Sequence, residues 1–211
     1  MGAIHLIRHG QASWGAADYD QLSELGARQA AGLGDSWEAG GFRPDWSVCG
    51  TMKRHAQTAV PALDAIDGDL YDLDDGWNEY DHLGLAGATD LSARPIDARE
   101  FQATLDAALA EWVAGGPGAE TFADFRSRVE RALAAAVEQA GSGRSVAVFT
   151  SGGPIGLVTS LMLTGDASLF IPLNRVVINA SVTTLIVGRG GTRLLSFNEH
   201  THVPKDMQSF R

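Results

Sequence analysis

One cysteine, Cys49, stands in the whole 211-residue chain, so no disulfide can form within it and no thiolate cluster can bind zinc. Its setting in Trp46-Ser47-Val48-Cys49 reads as a buried structural thiol. Basic residues are scarce: 16 Lys and Arg against 26 Asp and Glu give a formal net charge of -10. With no basic stripe to offset that field, nucleic acid and anionic membranes are excluded as partners, while a small anion remains admissible in a local basic pocket. No apolar run approaches membrane-spanning length, and the N-terminus lacks a charged region followed by an apolar one. A cytoplasmic location is expected from those absences. Also missing are a His-Glu-x-x-His pair, a Walker lysine beside Gly188, Gly190 and Gly191, and any internal repeat. No metal site and no cofactor are expected.

What is present is enough apolar material, 45% of residues, for one substantial core. Ala3 to Ile7 reads as a first strand, followed by a loop from Gly10 to Asp20. Ser23 is placed to cap a helix reaching about Ala39, and Trp46 to Cys49 forms a short second strand. A helix beginning near Met52 then carries Arg54, Thr58 and Ala59 before Pro61. Residues 64 to 100, with several Asp and scattered glycines, sustain no period. Helices are expected over Phe101 to Val113 and Thr121 to Ala140, a central strand over Ser145 to Thr150, and a helix from Gly152–Pro154 to about Leu163. Val182 to Val187 and Thr192 to Phe197 form the clearest hairpin. Strands alternating with helices predict an α/β fold, a three-layer α/β/α sandwich on a mostly parallel sheet. The expected organisation is a single domain, 1–211, with an insertion or cap around 64–120.

Two junctions carry chemistry. Arg8-His9-Gly10 closes the first strand, where an imidazole can attack phosphorus while a guanidinium holds phosphoryl oxygens. Gly50 to Ala59 again passes from strand to helix, and a helix start offers unpaired N–H groups and a favourable dipole, so Arg54 there suits phosphate.

Together with Gln11 to Trp14, Leu22-Ser23-Glu24-Leu25-Gly26, Gln29-Ala30, Gln57-Thr58-Ala59, Asn78-Glu79, Gly152-Gly153-Pro154-Ile155, Asn179 to Thr183, Asn198 and His202, these junctions make the chain resemble the histidine phosphatase superfamily almost end to end, in the branch of phosphoglycerate mutases and small phosphatases. The resemblance implies a phosphoglycerate mutase-like fold, a phosphorylated His9, phosphoryl contacts from Arg8 and Arg54, and Glu79 as proton donor to the leaving alcohol. Asp81 and His82 are lesser candidates for that proton transfer. Trp14 is a candidate for the pocket border.

The departure is Phe149-Thr150-Ser151-Gly152-Gly153, where the family's motif has His-Gly and this chain has Ser151-Gly152. A hydroxyl replaces a charged donor, a change on the order of 1.5–3 kcal/mol in phosphoryl stabilisation. Ser151 and the backbone N–H at Gly152 are expected to contact phosphate. A substitute imidazole is sought among His55, His82, His200 and His202, although helical geometry turns His55 away if Arg54 faces the pocket. Ser151 as a nucleophile lacks an evident Asp-His pair to activate it. The expected function is hydrolysis of a small phosphomonoester, with mutase-like transfer and a catalytically weak phosphate-binding protein as alternatives. The substrate and the oligomeric state, a homodimer included, are left open.

Overall fold

The computed structural model describes residues 1–13, 18–68, 71–85 and 98–210, without the side chains of Leu83 and of residues 98–102. The expected Trp14 border therefore lies outside the described residues, as does much of the 64–100 stretch. Strand β1, Gly2–Arg8, has Ile4, Leu6 and Ile7 fully buried. Helix α1, Glu24–Gly40, is capped at one end by Ser23, whose hydroxyl accepts from the Gly26 N–H, and at the other by Gly41 at φ 65°. Strand β2, Trp46–Cys49, leads into helix α2, Lys53–Asp64. This helix continues through Pro61 instead of ending before it. Proline removes only the bond to the Gln57 carbonyl, and Gln57 is exposed, so water can take that place.

The unperiodic stretch contains strand β3, Asp72–Leu73, a tight turn at Asp75–Trp77, and the short helix α3, His82–Leu85. Helices α4, Ala98–Val113, and α5, Phe122–Ala140, follow, the second capped by Thr121 through the Asp124 N–H. Strand β4, Ser145–Thr150, runs into helix α6, Gly152–Thr164, and then helix α7, Phe170–Val176, a helix that no sequence pattern announced. Strands β5, Val182–Gly188, and β6, Gly191–Glu199, close the chain's sheet as the expected antiparallel hairpin.

Among the described residues the sheet has the order β3-β2-β4-β1-β5-β6. The first four strands are mutually parallel, and β5 pairs antiparallel with β1. Alternation along β4 divides the core. Val146 and Val148 pack with Ile4 and Leu6 against α4, α5 and α6, whereas Ala147 and Phe149 pack with Ile7 and Cys49 against α1 and α2. Helices on both faces make the three-layer α/β/α sandwich expected from the sequence. Burial without a partner charge pushes the Cys49 thiol up to about 12, which keeps it protonated and unreactive.

The carboxyl ends of β1, β2 and β4 open at one edge, and the loop after β1 is pinned there by backbone contact with α1. A Cβ at Gly26 would stand 2.2 Å from the Gln11 carbonyl oxygen, and one at Gly10 would stand 2.3 Å from the Gly26 oxygen. Backbone cannot yield as a flexible side chain does, so Gly26→Ala is expected to lower stability by about 1–3 kcal/mol. Urea unfolding of the purified variant checks this, an unchanged midpoint being the contrary result.

Candidate active site

His9 leaves β1 with its backbone fixed on three sides. Its N–H donates to the Thr150 carbonyl at 2.9 Å, and its carbonyl accepts from Asn179 Nδ2 at 3.1 Å and the Ala180 N–H at 3.2 Å. The ring is equally constrained. Nδ1 lies 2.6 Å from the Gly10 carbonyl, which can only accept, so Nδ1 carries the hydrogen. Arg54 Nε donates to Nε2 at 3.2 Å, so that nitrogen is unprotonated and its lone pair accepts this bond. Burial, then Arg54, Arg8 and His55, hold the His9 imidazole well below its ordinary pKa. It is therefore neutral, in one tautomer, with Nε2 available as a nucleophile.

Arg54 is buried in the first turn of α2, where Nη1 pairs with Asp20 Oδ1 at 2.7 Å and the guanidinium lies 5.8 Å from the Tyr19 ring centroid. Asp20 Oδ2 also accepts from the Lys53 N–H at 2.9 Å, so one carboxylate both caps α2 and aims the arginine. Thr58 links the two junctions by donating to the Arg54 carbonyl and accepting from the Gly10 N–H. Arg8 reaches across the sheet edge, donating through Nη1 to the Val177 carbonyl and through Nη2 to the Phe210 carbonyl. Among the described residues its buried Nε has no partner, and an unspent donor beside His9 suits an anion.

Glu79 approaches from the other wall. Its two carboxylate oxygens accept from the Gly153 N–H at 3.1 and 3.2 Å, at the start of α6, and Oε1 also accepts from the Tyr80 N–H. Burial pushes the carboxyl above its usual range, with Arg54, the Gly153 N–H and Arg8 opposing that rise. Its main chain is carried by Arg128 of α5, which donates to the Gly76, Asn78 and Glu79 carbonyls and is itself held by Glu120 at 2.6 Å. Asn78 ties the same segment to α2 through the Thr51 N–H and hydroxyl.

Arg8, His9, Arg54 and Glu79 thus line one cavity of about 100 Å³, with Tyr19, Tyr80 and His82 beside them and Leu105, Leu109 and Ile171 on its apolar side. An Arg175–Asp106 pair also lines it. Ser151 and Gly152 lie behind this lining, and both are buried. The Ser151 hydroxyl is engaged by His55 Nε2 at 2.6 Å, so His55 points toward the buried layer behind the lining, on the side of His9, and not away from it. The expectation of an outward His55 fails because Cα–Cβ bonds tilt toward a helix N-terminus, and neighbouring residues of a first turn can converge beyond it. His200 and His202 bond the Asn198 and Ala180 carbonyls instead, and Asp81 caps α3 through the Gly84 N–H. Arg128 and Asn174, which donates to the Tyr80 hydroxyl at 2.9 Å, went unmarked in the sequence. The only available hint was that Arg128 interrupts an apolar stripe between Phe125 and Val129.

A family model described as the histidine phosphatase superfamily (branch 1) matches residues 4–200. No curated protein sequence matches the chain. Among solved structures, it is similar to mycobacterial glucosyl-3-phosphoglycerate phosphatase in complex with inorganic phosphate, at TM-score 0.70 and 24% identity over 97% of this chain and 100% of that one. A putative alpha-ribazole-5'-P phosphatase from Escherichia coli aligns at TM-score 0.67 and 21% identity over 94% and 98%. A phosphoserine phosphatase mutant from Entamoeba histolytica aligns at TM-score 0.67 and 17% identity over 97% and 100%. At such identities these structures establish the shared fold.

Half-buried neutral histidines make stability depend on pH. His5 and His82 are lowered to about 4 by burial, while an unfolded chain protonates them near 6.5. Their stabilising contribution is complete above about pH 6.5 and is lost as pH falls toward 4, because the unfolded state binds the proton first. His82→Gln is expected to remove up to one proton from this dependence, about 1.4 kcal/mol per pH unit in the window. Urea titrations between pH 7 and 4.5 measure the slope, and equal slopes for both proteins would refute the assignment.

Proposed function

The chain belongs to the histidine phosphatase superfamily (branch 1), and from that membership and the geometry around His9 we propose that it hydrolyses small phosphomonoesters through phospho-His9. The observation that carries this reading is the fixed tautomer of His9, with Nδ1–H spent on the Gly10 carbonyl and the Nε2 lone pair held by Arg54 Nε inside a cationic cavity. Attack by Nε2 on phosphorus forms the N–P bond as the P–O bond to the alcohol breaks. Arg54 Nε, released from Nε2 by the incoming group, and the unspent Arg8 Nε supply donors to the phosphoryl oxygens.

Glu79 serves as the acid. Its carboxyl is already raised by burial, a phosphoryl dianion alongside raises it further, and in its protonated form it transfers the proton to the departing alkoxide. The resulting carboxylate then takes a proton from the water that attacks phospho-His9, and inorganic phosphate leaves. The apolar side of the cavity, Leu105, Leu109 and Ile171, favours substrates with a compact carbon skeleton next to the phosphate. The guanidiniums supply the charge that a metal ion supplies in other phosphoryl transfers.

Rapid-quench labelling of wild-type protein is expected to give an acid-labile phosphate, and His9→Ala to give neither label nor turnover. Full hydrolysis by His9→Ala refutes the nucleophile. Glu79→Gln is expected to slow alkyl phosphates by about 10²–10⁴-fold, the range of general acid catalysis. It should slow p-nitrophenyl phosphate much less, since that leaving group needs no proton. Equal losses on both substrates refute the acid role.

A further inference from the structure

A second imidazole lies beside the nucleophile, and the reaction above leaves it unused. His55 is fully buried, its ring centroid is 5.7 Å from that of His9, and its Nε2 is 2.6 Å from Ser151 Oγ. Its Nδ1 rests against the Gly50 backbone without a hydrogen bond of normal geometry. Ser151 occupies the N-cap of α6, where a serine ordinarily accepts from the helix's own N–H groups, yet its side chain makes no capping bond. The Gly153 N–H goes to Glu79 instead. Two buried polar side chains thus forgo local partners and bond each other at the head of a helix.

That head abuts the cavity lining from behind. The residue before Ser151 accepts the His9 N–H, and the residue after it lies against Arg8, since a Cβ at Gly152 would be 3.7 Å from the unpartnered Arg8 Nε. We infer that His55 and Ser151 form a hydroxyl–imidazole relay to the phosphoryl group. With the site empty, the Ser151 O–H donates to His55 Nε2. When a phosphoryl group enters, His55 takes one proton from solvent, its Nε2–H donates to Ser151 Oγ, and the serine turns its own hydrogen to a phosphoryl oxygen. One N–H bond forms as one O–H bond of hydronium breaks, no covalent bond of the protein is broken, and the added positive charge offsets part of the incoming negative charge. His55 acts through Ser151 and is a positioning residue.

The resting state favours the neutral ring, because burial and Arg54 hold His55 well below its ordinary pKa while the Gly50 carbonyl favours the protonated form. Among the described residues, the charged and titratable groups facing it are Arg54 on its own helix and His9 at the end of β1. The ends of β2 and β4 present only the Gly50 backbone and the Ser151 hydroxyl. An anion between these groups counters both terms that keep His55 neutral.

The inference rests on the cavity being a phosphoryl site, and one experiment separates the two. Protein labelled with ¹⁵N in histidine is titrated with inorganic phosphate at pH 7, the His55 ring signals being assigned by their loss in His55→Gln. The expected result is a shift of both His55 nitrogens to imidazolium values on saturation, with His9 remaining neutral. Ser151→Ala is expected to weaken phosphate binding about five- to tenfold and to abolish the His55 shift. Should His55→Gln fail to fold, the loss of the shifting signal in Ser151→Ala identifies the pair. Phosphate binding and monoester turnover with a neutral His55, or equal affinity in Ser151→Ala, overturns the relay alone. Absence of both binding and turnover in wild-type protein overturns the phosphoryl site and the relay with it.

Discussion

Everything in the cavity depends on keeping one buried imidazole neutral and pointing one way. The Gly10 carbonyl and the Arg54 guanidinium do this from opposite sides of the His9 ring, the first by accepting from Nδ1 and the second by donating to Nε2. Either contact alone leaves the tautomer or the rotation free. Together they fix both, and burial removes the water that would otherwise compete.

Much of the surrounding structure serves that pair at one remove. Asp20 aims Arg54, Thr58 joins Arg54 to Gly10, and Asn179 with Ala180 holds the His9 carbonyl. His202 in turn bonds the Ala180 carbonyl at 2.8 Å, so a histidine distant in sequence stabilises the loop under His9. Gln29 of α1 accepts the Gln11 N–H and donates to the Met207 carbonyl and the Ser209 hydroxyl, binding the post-β1 loop to the C-terminal segment. The buried polar groups of the site are numerous, but almost all are bonded. Among the described residues, Arg8 Nε and His55 Nδ1 beside His9, and Ser181 Oγ next to Ala180, lack a hydrogen-bond partner.

Charge is arranged on two scales. The chain carries a formal net charge of -10, yet Arg8 and Arg54 are both buried at the cavity, where a lower effective dielectric strengthens their pull on an anion. Glu79 is the counterweight. Its carboxylate occupies the α6 N-terminus through the Gly153 N–H, so the helix start that the sequence offered to phosphate is shared with the residue proposed as acid.

The sequence by itself determined the elements whose signals are local. Short apolar runs specified β1, β2, β4 and the β5–β6 hairpin. Ser23 and Thr121 marked the starts of α1 and α5, and Arg8 and His9 at a strand end, with Arg54 at a helix start, marked the candidate site. Tertiary structure alone decided the rest. Strand order, the passage of α2 through Pro61, and the service of Arg128, Asn174 and Asp20 all depend on contacts between residues distant in sequence. The direction of His55 was decided in the same way. Side-chain spacing along a helix fixes relative angles, but only packing shows that the first turn of α2 points end-on at the site. There, adjacent Arg54 and His55 converge, one on His9 and the other on Ser151.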